Sequence, residues 1–243
     1  MIKFVIILIS IYSLLFANEL DFGKFDGAGV ILDLNNSEQE VFGNRTNERL
    51  NPCSTFKIIN SMIALDTHVV RDENEIILWD GKVRTYAVWN QDHSMRSAIS
   101  VSTVWFYQEL AKRIGTVRMQ EMLKKVNYGN TDISNSLTNF WLDNGSLKIS
   151  VNEQIKFLTK LIRKQLPFTD NSINTLKEII TLEKQPKYIL AGKTGSCGNI
   201  GWFVGFIEEN HSTKVFAFNI KGDGASGAKI KKNVLEYLKS NIN

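Results

Sequence analysis

The spacing of hydrophobic positions divides the chain into a β-rich beginning, a helical middle and a β-rich end. Residues 27–34 and 40–42 are β-rich and are separated by an Asn-Asn-Ser turn sequence, which predicts a β-hairpin. Towards the other end, three more β-rich runs alternate with turn residues, at 188–191, 201–207 and 214–220. These five runs are the predicted strands.

Between the two groups of strands, apolar residues recur at helical spacing. Residues 54–65 are apolar on nearly every side, which predicts a helix in the interior of the protein. A second helix is predicted over 102–114. Ser150, followed by Glu153 three residues later, forms a capping box that begins a third helix. A last amphipathic helix is predicted over 227–240.

This order of elements indicates an α/β fold of the α+β kind. One antiparallel sheet is built from both chain ends and is flanked by helices, and the middle of the chain forms an all-helical region beside it. A cleft between these two parts is the expected place for a functional site. No repeat, low-complexity tract or Pro-rich linker divides the sequence, so we expect one domain over residues 18–243.

The first 17 residues have the layout of a secretory signal peptide. Lys3 provides a positive start, residues 4–16 are almost wholly apolar, and Ala17 is a small residue suited to cleavage before Asn18. The apolar run is short for a transmembrane helix. The alternative is an uncleaved membrane anchor. We expect cleavage, a periplasmic location and no stable membrane insertion after cleavage.

Composition and charge exclude several other classes of protein. Of the 243 residues, 43% are apolar and 22% charged, which is typical of a globular protein and not of a disordered one. The formal net charge of +4 is a mild excess of scattered basic residues, so no nucleic-acid partner is expected. His68, His93 and His211 are too dispersed to suggest a metal site, and none is predicted.

A nucleophile and a base stand together at the start of the predicted interior helix. Ser54 lies where a helix leaves backbone N–H groups free and its dipole is positive. Lys57 follows three residues later, so both side chains share one face. An amine in apolar surroundings loses its proton easily and can then activate a hydroxyl. The alternative is coincidence: the same Ser-x-x-Lys pattern recurs at 226–229, which we interpret as chance.

Two later segments carry further polar groups. Ser102 begins a Ser-Thr-Val segment at the start of its predicted helix, where a helix cap is the simple explanation. Lys193-Thr194-Gly195 ends a predicted strand, where a turn is an alternative explanation. Their order is more specific than either segment alone. Ser-x-x-Lys, then a middle serine on a helix, then Lys-Thr-Gly is the order of the serine β-lactamases and penicillin-binding proteins.

With these motifs, the sequence resembles the class D (oxacillinase-type) serine β-lactamases, which belong to the penicillin-binding, transpeptidase-like superfamily. Class A enzymes and many penicillin-binding proteins have Ser-x-Asn where this chain has Ser-x-Val. The resemblance extends from about residue 27 to the last predicted helix. It includes Trp-Asn-Gln-Asp-His at 89–93, Tyr-Gly-Asn at 128–130, Phe-Trp-Leu at 140–142 and Trp-Phe-Val-Gly-Phe at 202–206.

The resemblance implies a hydrolase that opens penicillin-type antibiotics and confers resistance to them. Ser54 would be the acylated nucleophile. Lys57 would react with CO₂ to become N6-carboxylysine, the base for acylation and deacylation, and no other cofactor is implied. Val104 and Trp141 would be the walls of the carbamate pocket, with the Trp141 indole as a donor; from the residues alone Trp141 would be a core aromatic. Ser102 would pass a proton towards the departing ring nitrogen.

The resemblance also implies a substrate-binding strand. Lys193 would hold the proton path electrostatically and attract the substrate carboxylate, and Thr194 and Gly195 would line the strand against which substrate lies. The backbone N–H groups of Ser54 and Ser196 would form the oxyanion hole, where each donor lowers the barrier by about 3 kcal/mol.

One departure from the family concerns the substrate carboxylate. Family members usually carry an arginine near the C-terminus, and an ungapped count places Lys231 there. Nearby Lys229 and Lys232 leave the alignment open. A lysine keeps the charge but loses bidentate geometry. The alternative is a surface lysine on the last helix.

The second departure is a pair of cysteines. Cys53 directly precedes the predicted nucleophile, and Cys197 lies two residues after Lys-Thr-Gly. If the cleft assembles as the resemblance implies, the two residues face each other, as at the corresponding places of some class A carbapenem-hydrolysing enzymes. We therefore predict a Cys53–Cys197 disulfide. The alternative is two small buried thiols.

Two rival functions share most of these features. A class D-like fold also serves as an antibiotic sensor, which is acylated once and stops, and a third interpretation is a peptidoglycan DD-peptidase. The expected partner is a small-molecule β-lactam substrate at the serine. Either a monomer or a homodimer is compatible with the sequence, which does not indicate the preferred β-lactam.

Overall fold

A computed structural model describes residues 20–241, so the predicted signal peptide, residues 1–17, lies outside the described residues. Within that range are six strands: β1 (Asp26–Asp33), β2 (Gln39–Phe42), β3 (Thr181–Lys184), β4 (Tyr188–Cys197), β5 (Ile200–Glu209) and β6 (Thr213–Lys221). They form one antiparallel sheet in the order β2-β1-β6-β5-β4-β3. The two ends of the chain therefore meet in one sheet, as predicted, with β1 beside β6.

Seven α-helices accompany the sheet in the described part of the chain: α1 (Lys57–Asp66), α2 (Met95–Ser100), α3 (Val104–Ile114), α4 (Thr116–Val126), α5 (Val151–Ile162), α6 (Asp170–Ile179) and α7 (Gly227–Ser240). A 3₁₀ turn, Cys53–Phe56, leads directly into α1. A second short 3₁₀ turn spans Ala87–Trp89. None of the helices between residues 20 and 241 is long and apolar enough to cross a membrane.

The sheet is buried on both faces, and strand β5 shows how the alternation of residues achieves this. Trp202, Val204 and Phe206 belong to the larger core, together with residues of α1 to α6. Phe203 and Ile207 point to the opposite face and pack with residues of α7. Successive strand residues face opposite sides of the sheet, and both sides are buried here. The sequence of β5 is therefore a continuous apolar run and not an alternating one.

Several predicted elements are confirmed. The first hairpin, the interior helix, the helix that Ser150 begins and the C-terminal helix are all present. The Ser150–Glu153 capping box has both of its hydrogen bonds. The pattern did not predict α2, α4, α6 or β3, which are short or carry apolar residues on a narrow face only.

Two details at the later motifs differ from the prediction. Helix α3 begins at Val104 with Thr103 at its N-cap, so a helix cap does not explain Ser102, whose φ of 61° lies in the left-handed region. Strand β4 continues to Cys197, so Lys193 to Gly195 lie within a strand and a turn does not explain them. Both motifs therefore need an explanation other than local structure.

Where β3 ends, one edge of β4 is no longer paired with another strand. Strand β3 pairs with β4 only at residues 189–191, and the Gly192 N–H donates to the Ile180 carbonyl at 3.0 Å. Beyond Gly192, β4 pairs with β5 on its other side only. The 3₁₀ turn before α1 packs against β4. The cleft between sheet and helices therefore lies along residues 193–197.

Candidate active site

Ser54 and Lys57 are adjacent at the helix start, as predicted. The Lys57 Nζ lies 2.8 Å from the Ser54 Oγ. Lys57 is 0% exposed and Ser54 8% exposed. Burial, with a smaller contribution from the positive charge of Lys193, lowers the pKa of Lys57 well below its usual value. A buried amine is thus held within hydrogen-bonding distance of a hydroxyl that remains accessible.

The surroundings of Lys57 favour its neutral form. None of the ion pairs among residues 20–241 involves this lysine, so no carboxylate in this part of the chain stabilises its charged form. The adjacent Phe56 ring stacks on Trp141 at 5.1 Å between centroids. Trp141 is fully buried, and its indole Nε1 has no hydrogen-bond partner in the described part of the chain. A buried donor without a partner costs free energy, so a missing acceptor is indicated here.

Ser102 and Lys193 meet across the cleft although 91 residues separate them. The Lys193 Nζ lies 3.1 Å from the Ser102 Oγ and donates to the Thr194 carbonyl at 3.0 Å. Lys193 is 5% exposed. Burial, followed by the positive charge of Lys231, lowers the pKa of Lys193 to about 7. Lys193 therefore changes its charge close to neutral pH.

Ser54 and Ser102, one from each pair, line a common cavity. Its volume is about 240 Å³, and its walls combine apolar side chains with several hydroxyl groups. Its lining residues come from the 3₁₀ turns, the start of α3 and the edge of β4: Ser54, Tyr86, Val88, Trp89, Val101, Ser102, Val104, Leu142, Thr194 and Ser196. The structure therefore brings Ser54, Ser102, Val104, Thr194 and Ser196 together, as the resemblance implied.

Gly195 allows the strand to approach the nucleophile closely. A Cβ atom at this position would lie 2.9 Å from the Pro52 carbonyl oxygen and 3.2 Å from the Ser54 backbone nitrogen. Because these neighbours are backbone atoms, they cannot move aside cheaply. The Ser196 hydroxyl accepts a hydrogen bond from the Gly227 N–H at 2.8 Å, so this side chain fixes the strand to α7.

A disulfide joins Cys53 to Cys197, as predicted. Their Cα atoms are 5.6 Å apart, and their sequence separation is 144. The bond ties the residue before Ser54 to the residue after Ser196. In the chain-entropy model, closure of so long a loop stabilises the fold by about 5 kcal/mol. The cross-link thus fixes the helical side of the cleft to the sheet side.

Among Lys229, Lys231 and Lys232, only Lys231 faces β4. It lines a cavity of about 150 Å³ together with Lys193 and Thr194, and its Nζ lies 6.0 Å from the centre of the Phe203 ring. Lys229 instead donates to the Gly224 carbonyl at 2.8 Å. Lys232 lines cavities near residues 20–25. Thr194 lines both the 150 Å³ cavity and the one that contains Ser54.

Several wall residues were not assigned a role from the sequence. Tyr86, Val88, Val101 and Leu142 line the Ser54 cavity, and the first three are exposed apolar side chains. Exposed apolar residues next to a reactive hydroxyl suit an apolar ligand group. The only signal in the sequence is their position within or beside the segments at 89–93, 102–104 and 140–142. No group of His, Cys, Asp or Glu residues within 20–241 could hold a metal ion.

Comparison with known proteins places this site in a family. Residues 27–238 match the family described as "Penicillin binding protein transpeptidase domain". The chain is 39% identical to the probable β-lactamase YbxI of Bacillus subtilis over 220 residues, which cover 89% of this chain and 82% of the relative. It is also 39% identical to the β-lactamase OXA-48 of Klebsiella pneumoniae over 224 residues, 89% and 84% of the two chains.

Solved structures agree with the sequence relatives. The crystal structure of a class D β-lactamase from Bacillus subtilis matches with a TM-score of 0.86 and 40% identity, covering 89% of this chain and 92% of that one. The class D β-lactamase FUS-1 (OXA-85) from Fusobacterium nucleatum matches with a TM-score of 0.85 and 38% identity, covering 90% and 93%. The fold and the serine–lysine site thus define a protein of the penicillin-binding transpeptidase class. Within that class, the chain belongs to the class D β-lactamase family.

Proposed function

We propose that this protein hydrolyses β-lactam antibiotics through an acyl-enzyme on Ser54 and so confers resistance to them. The observation that carries the proposal is the completely buried Lys57 amine at 2.8 Å from the Ser54 hydroxyl. The close relatives named as β-lactamases support the same activity.

In the acylation step, Ser54 loses its proton to the base at Lys57, and its Oγ attacks the lactam carbonyl carbon. The Ser54 and Ser196 backbone N–H groups receive the negative charge that develops on the carbonyl oxygen. The C–N bond of the ring then breaks, and Ser102 donates a proton to the departing nitrogen. Lys193 re-protonates Ser102, to which it lies 3.1 Å away. At the ester stage the Ser54 proton is on the base at Lys57, the ring nitrogen has gained a proton through Ser102, and Lys193 is left neutral.

We propose that Lys57 carries a carboxyl group derived from CO₂. Only a neutral amine reacts with CO₂, and burial supports that form of Lys57. Trp141, whose buried indole N–H lacks an acceptor among the described residues, would hold the group, with Val104 as an apolar wall. When bound, the carboxyl group supplies an anionic base for both acylation and deacylation.

The deacylation step distinguishes a β-lactam hydrolase from an antibiotic sensor or a DD-peptidase. Water must attack the ester carbonyl while the Ser54 oxygen leaves and takes a proton. The oxyanion donors that served acylation serve this step as well. A sensor or a slow DD-peptidase would lack an effective base for this water and would stay acylated.

Lys193, Thr194 and Lys231 are the proposed binding groups for the substrate carboxylate. Thr194 lines both the Ser54 cavity and the cavity that Lys231 lines. Two cations and no carboxylate line that second cavity. The apolar wall of the Ser54 cavity would receive the substrate side chain.

The cellular setting is proposed from the sequence alone. A signal peptide cleaved after Ala17 would export residues 18–243 to the periplasm, where the disulfide is compatible with the redox conditions. The exported protein would act as a monomer or a homodimer without stable membrane insertion.

The test is time-resolved hydrolysis of penicillin and of a chromogenic cephalosporin, in buffer depleted of CO₂ and after addition of bicarbonate. We expect steady turnover that rises with bicarbonate, with the largest rise at mildly acidic pH, where the lysine carbamate decomposes. A single stoichiometric burst would instead support the sensor. Turnover without any response to bicarbonate would support a hydrolase that uses the Lys57 amine directly.

A further inference from the structure

His93 is a buried histidine that the proposed reaction does not use. It is 1% exposed. Its Nε2 lies 3.0 Å from the Val88 carbonyl oxygen and 3.2 Å from the Thr103 Oγ1, and its Nδ1 lies 2.9 Å from the Ser97 Oγ. Because a carbonyl oxygen only accepts hydrogen bonds, Nε2 carries a hydrogen and donates it to Val88.

Two indoles connect the same parts of the chain. The Trp89 Nε1 donates to the Val101 carbonyl at 3.0 Å, and the Trp105 Nε1 donates to the Trp89 carbonyl at 2.7 Å. Residues 86–89 contribute one wall of the Ser54 cavity, and residues 101–104 contribute the neighbouring part. One imidazole and two indoles therefore fasten this wall to the segment that presents Ser102.

Ser102 needs such support because of its backbone. Its φ of 61° lies in a region that non-glycine residues seldom adopt and that persists only where the surroundings hold it. Its neighbour Thr103 is fully buried. The contact between the Thr103 hydroxyl and His93 therefore fixes the residue that follows Ser102. The Ser102 hydroxyl itself lies 3.1 Å from the Lys193 Nζ.

We propose that His93 is a positioning residue for acylation: through its Nε2 it holds Thr103 and the Val88 carbonyl, and thereby fixes the Ser102 hydroxyl against the cavity wall. The inference rests on the proposed function, because it assigns Ser102 to proton donation when the lactam ring opens. The proposal therefore predicts a change in the rate of acylation and not in the rate of deacylation. Acylation depends on Ser102, whereas hydrolysis of the ester depends on the base at Lys57.

Two substitutions of His93 distinguish the contributions of its two ring nitrogens. In His93→Gln the side-chain amide nitrogen reaches the place of Nε2 and can still donate to Val88. In His93→Asn the amide reaches only the place of Nδ1, beside Ser97. Both variants lose the aromatic ring and its packing on Trp105, whose ring centre is 6.0 Å away. They are therefore matched controls for a loss of packing.

The measurement is single-turnover acylation and deacylation of a penicillin, with thermal unfolding of each variant. A misplacement of 1 Å costs about 10²-fold in rate. We expect His93→Asn to lower the acylation rate constant by about 10- to 100-fold and to leave the deacylation rate constant near that of the wild type. His93→Gln should stay within about threefold of the wild type in both. Unfolding temperatures of the two variants should be similar.

A second pair of variants keeps the test informative if both His93 variants unfold. Thr103→Val removes the hydroxyl without a change of shape, and Thr103→Ser keeps it. The first should slow acylation selectively and the second should not. Equal acylation in His93→Asn and His93→Gln, or an equal fall of acylation and deacylation, would overturn the inference. A wild-type protein that does not turn over β-lactams would refute the proposed function itself.

Discussion

The helical side and the sheet side of the cleft each contain a buried lysine, but in different surroundings. Lys57 on the helical side is close to one hydroxyl, that of Ser54, and to aromatic rings. Lys193 on the sheet side also donates to a backbone carbonyl, which favours its charged form, and a second lysine, Lys231, lies nearby. One residue type can therefore supply a neutral amine on one side and a titrating cation on the other.

The comparison also shows why the two sides must be held together. In the proposed reaction neither lysine acts alone: Lys57 needs the oxyanion donor of Ser196 at the strand edge, and Lys193 needs Ser102 on the helical side. The Cys53–Cys197 disulfide and the close approach at Gly195 connect the two sides next to Ser54.

The largest effect is expected for Lys57→Met. Loss of the general base should lower kcat by about 10⁴-fold, while the apolar side chain fills the same space. Lys57→Arg is the matched control, because it keeps a charge but cannot become neutral. Steady-state hydrolysis of penicillin is the measurement. Turnover by Lys57→Met within tenfold of the wild type would show that the base lies elsewhere.

The connection between the two sides is tested by the double variant Cys53→Ser, Cys197→Ser. Loss of the disulfide should lower the free energy of unfolding by about 2–5 kcal/mol, of which the chain-entropy figure is the upper end. Urea unfolding with and without reductant is the measurement, and the reduced wild type is the control. If reduction and double substitution both leave the midpoint unchanged, the bond adds nothing to stability.

On the sheet side, Lys231→Met tests the second cation. Loss of this half-buried charge at the substrate carboxylate should raise KM for penicillin by about tenfold, equivalent to about 1.4 kcal/mol, with kcat nearly unchanged. Lys229→Met is the control, because Lys229 donates to Gly224 and does not face β4. Equal effects of the two substitutions would exclude Lys231 as a specific carboxylate contact.

A smaller effect concerns stability and pH. The lowered pKa of Lys57 means that the unfolded chain binds more protons than the folded protein between the folded pKa and about 10.4, so wild-type stability rises with pH in that window. Lys57→Met lacks this dependence and should be more stable by about 1 kcal/mol near neutral pH. Its advantage should shrink as pH rises towards 10.4. Urea unfolding in CO₂-depleted buffer measures this, and an advantage that grows with pH would contradict it.

The sequence predicted those parts of the site that depend on local spacing. Ser54 and Lys57 lie three residues apart on a helix, so their contact follows from helix geometry. The contact between Ser102 and Lys193 was implied only by the resemblance, because a separation of 91 residues is closed by the tertiary fold. The disulfide was likewise implied by the resemblance.

Other features had no usable signal in the sequence. His93 belongs to the Trp-Asn-Gln-Asp-His segment at 89–93, but its contacts with Val88 and Thr103 depend on how two loops pack. Strand β3 is four residues long, too short for its alternation to stand out. Ser102 was expected at a helix start, and its left-handed backbone could not be read from the residue type.

The central claim is that Lys57 is neutral and captures CO₂, and NMR spectroscopy with ¹³C-labelled bicarbonate tests it most directly. The wild-type protein should show one additional protein-bound carboxyl carbon that diminishes on acidification and is absent from Lys57→Met. A spectrum without that resonance near neutral pH, or with the same resonance in Lys57→Met, would contradict the account.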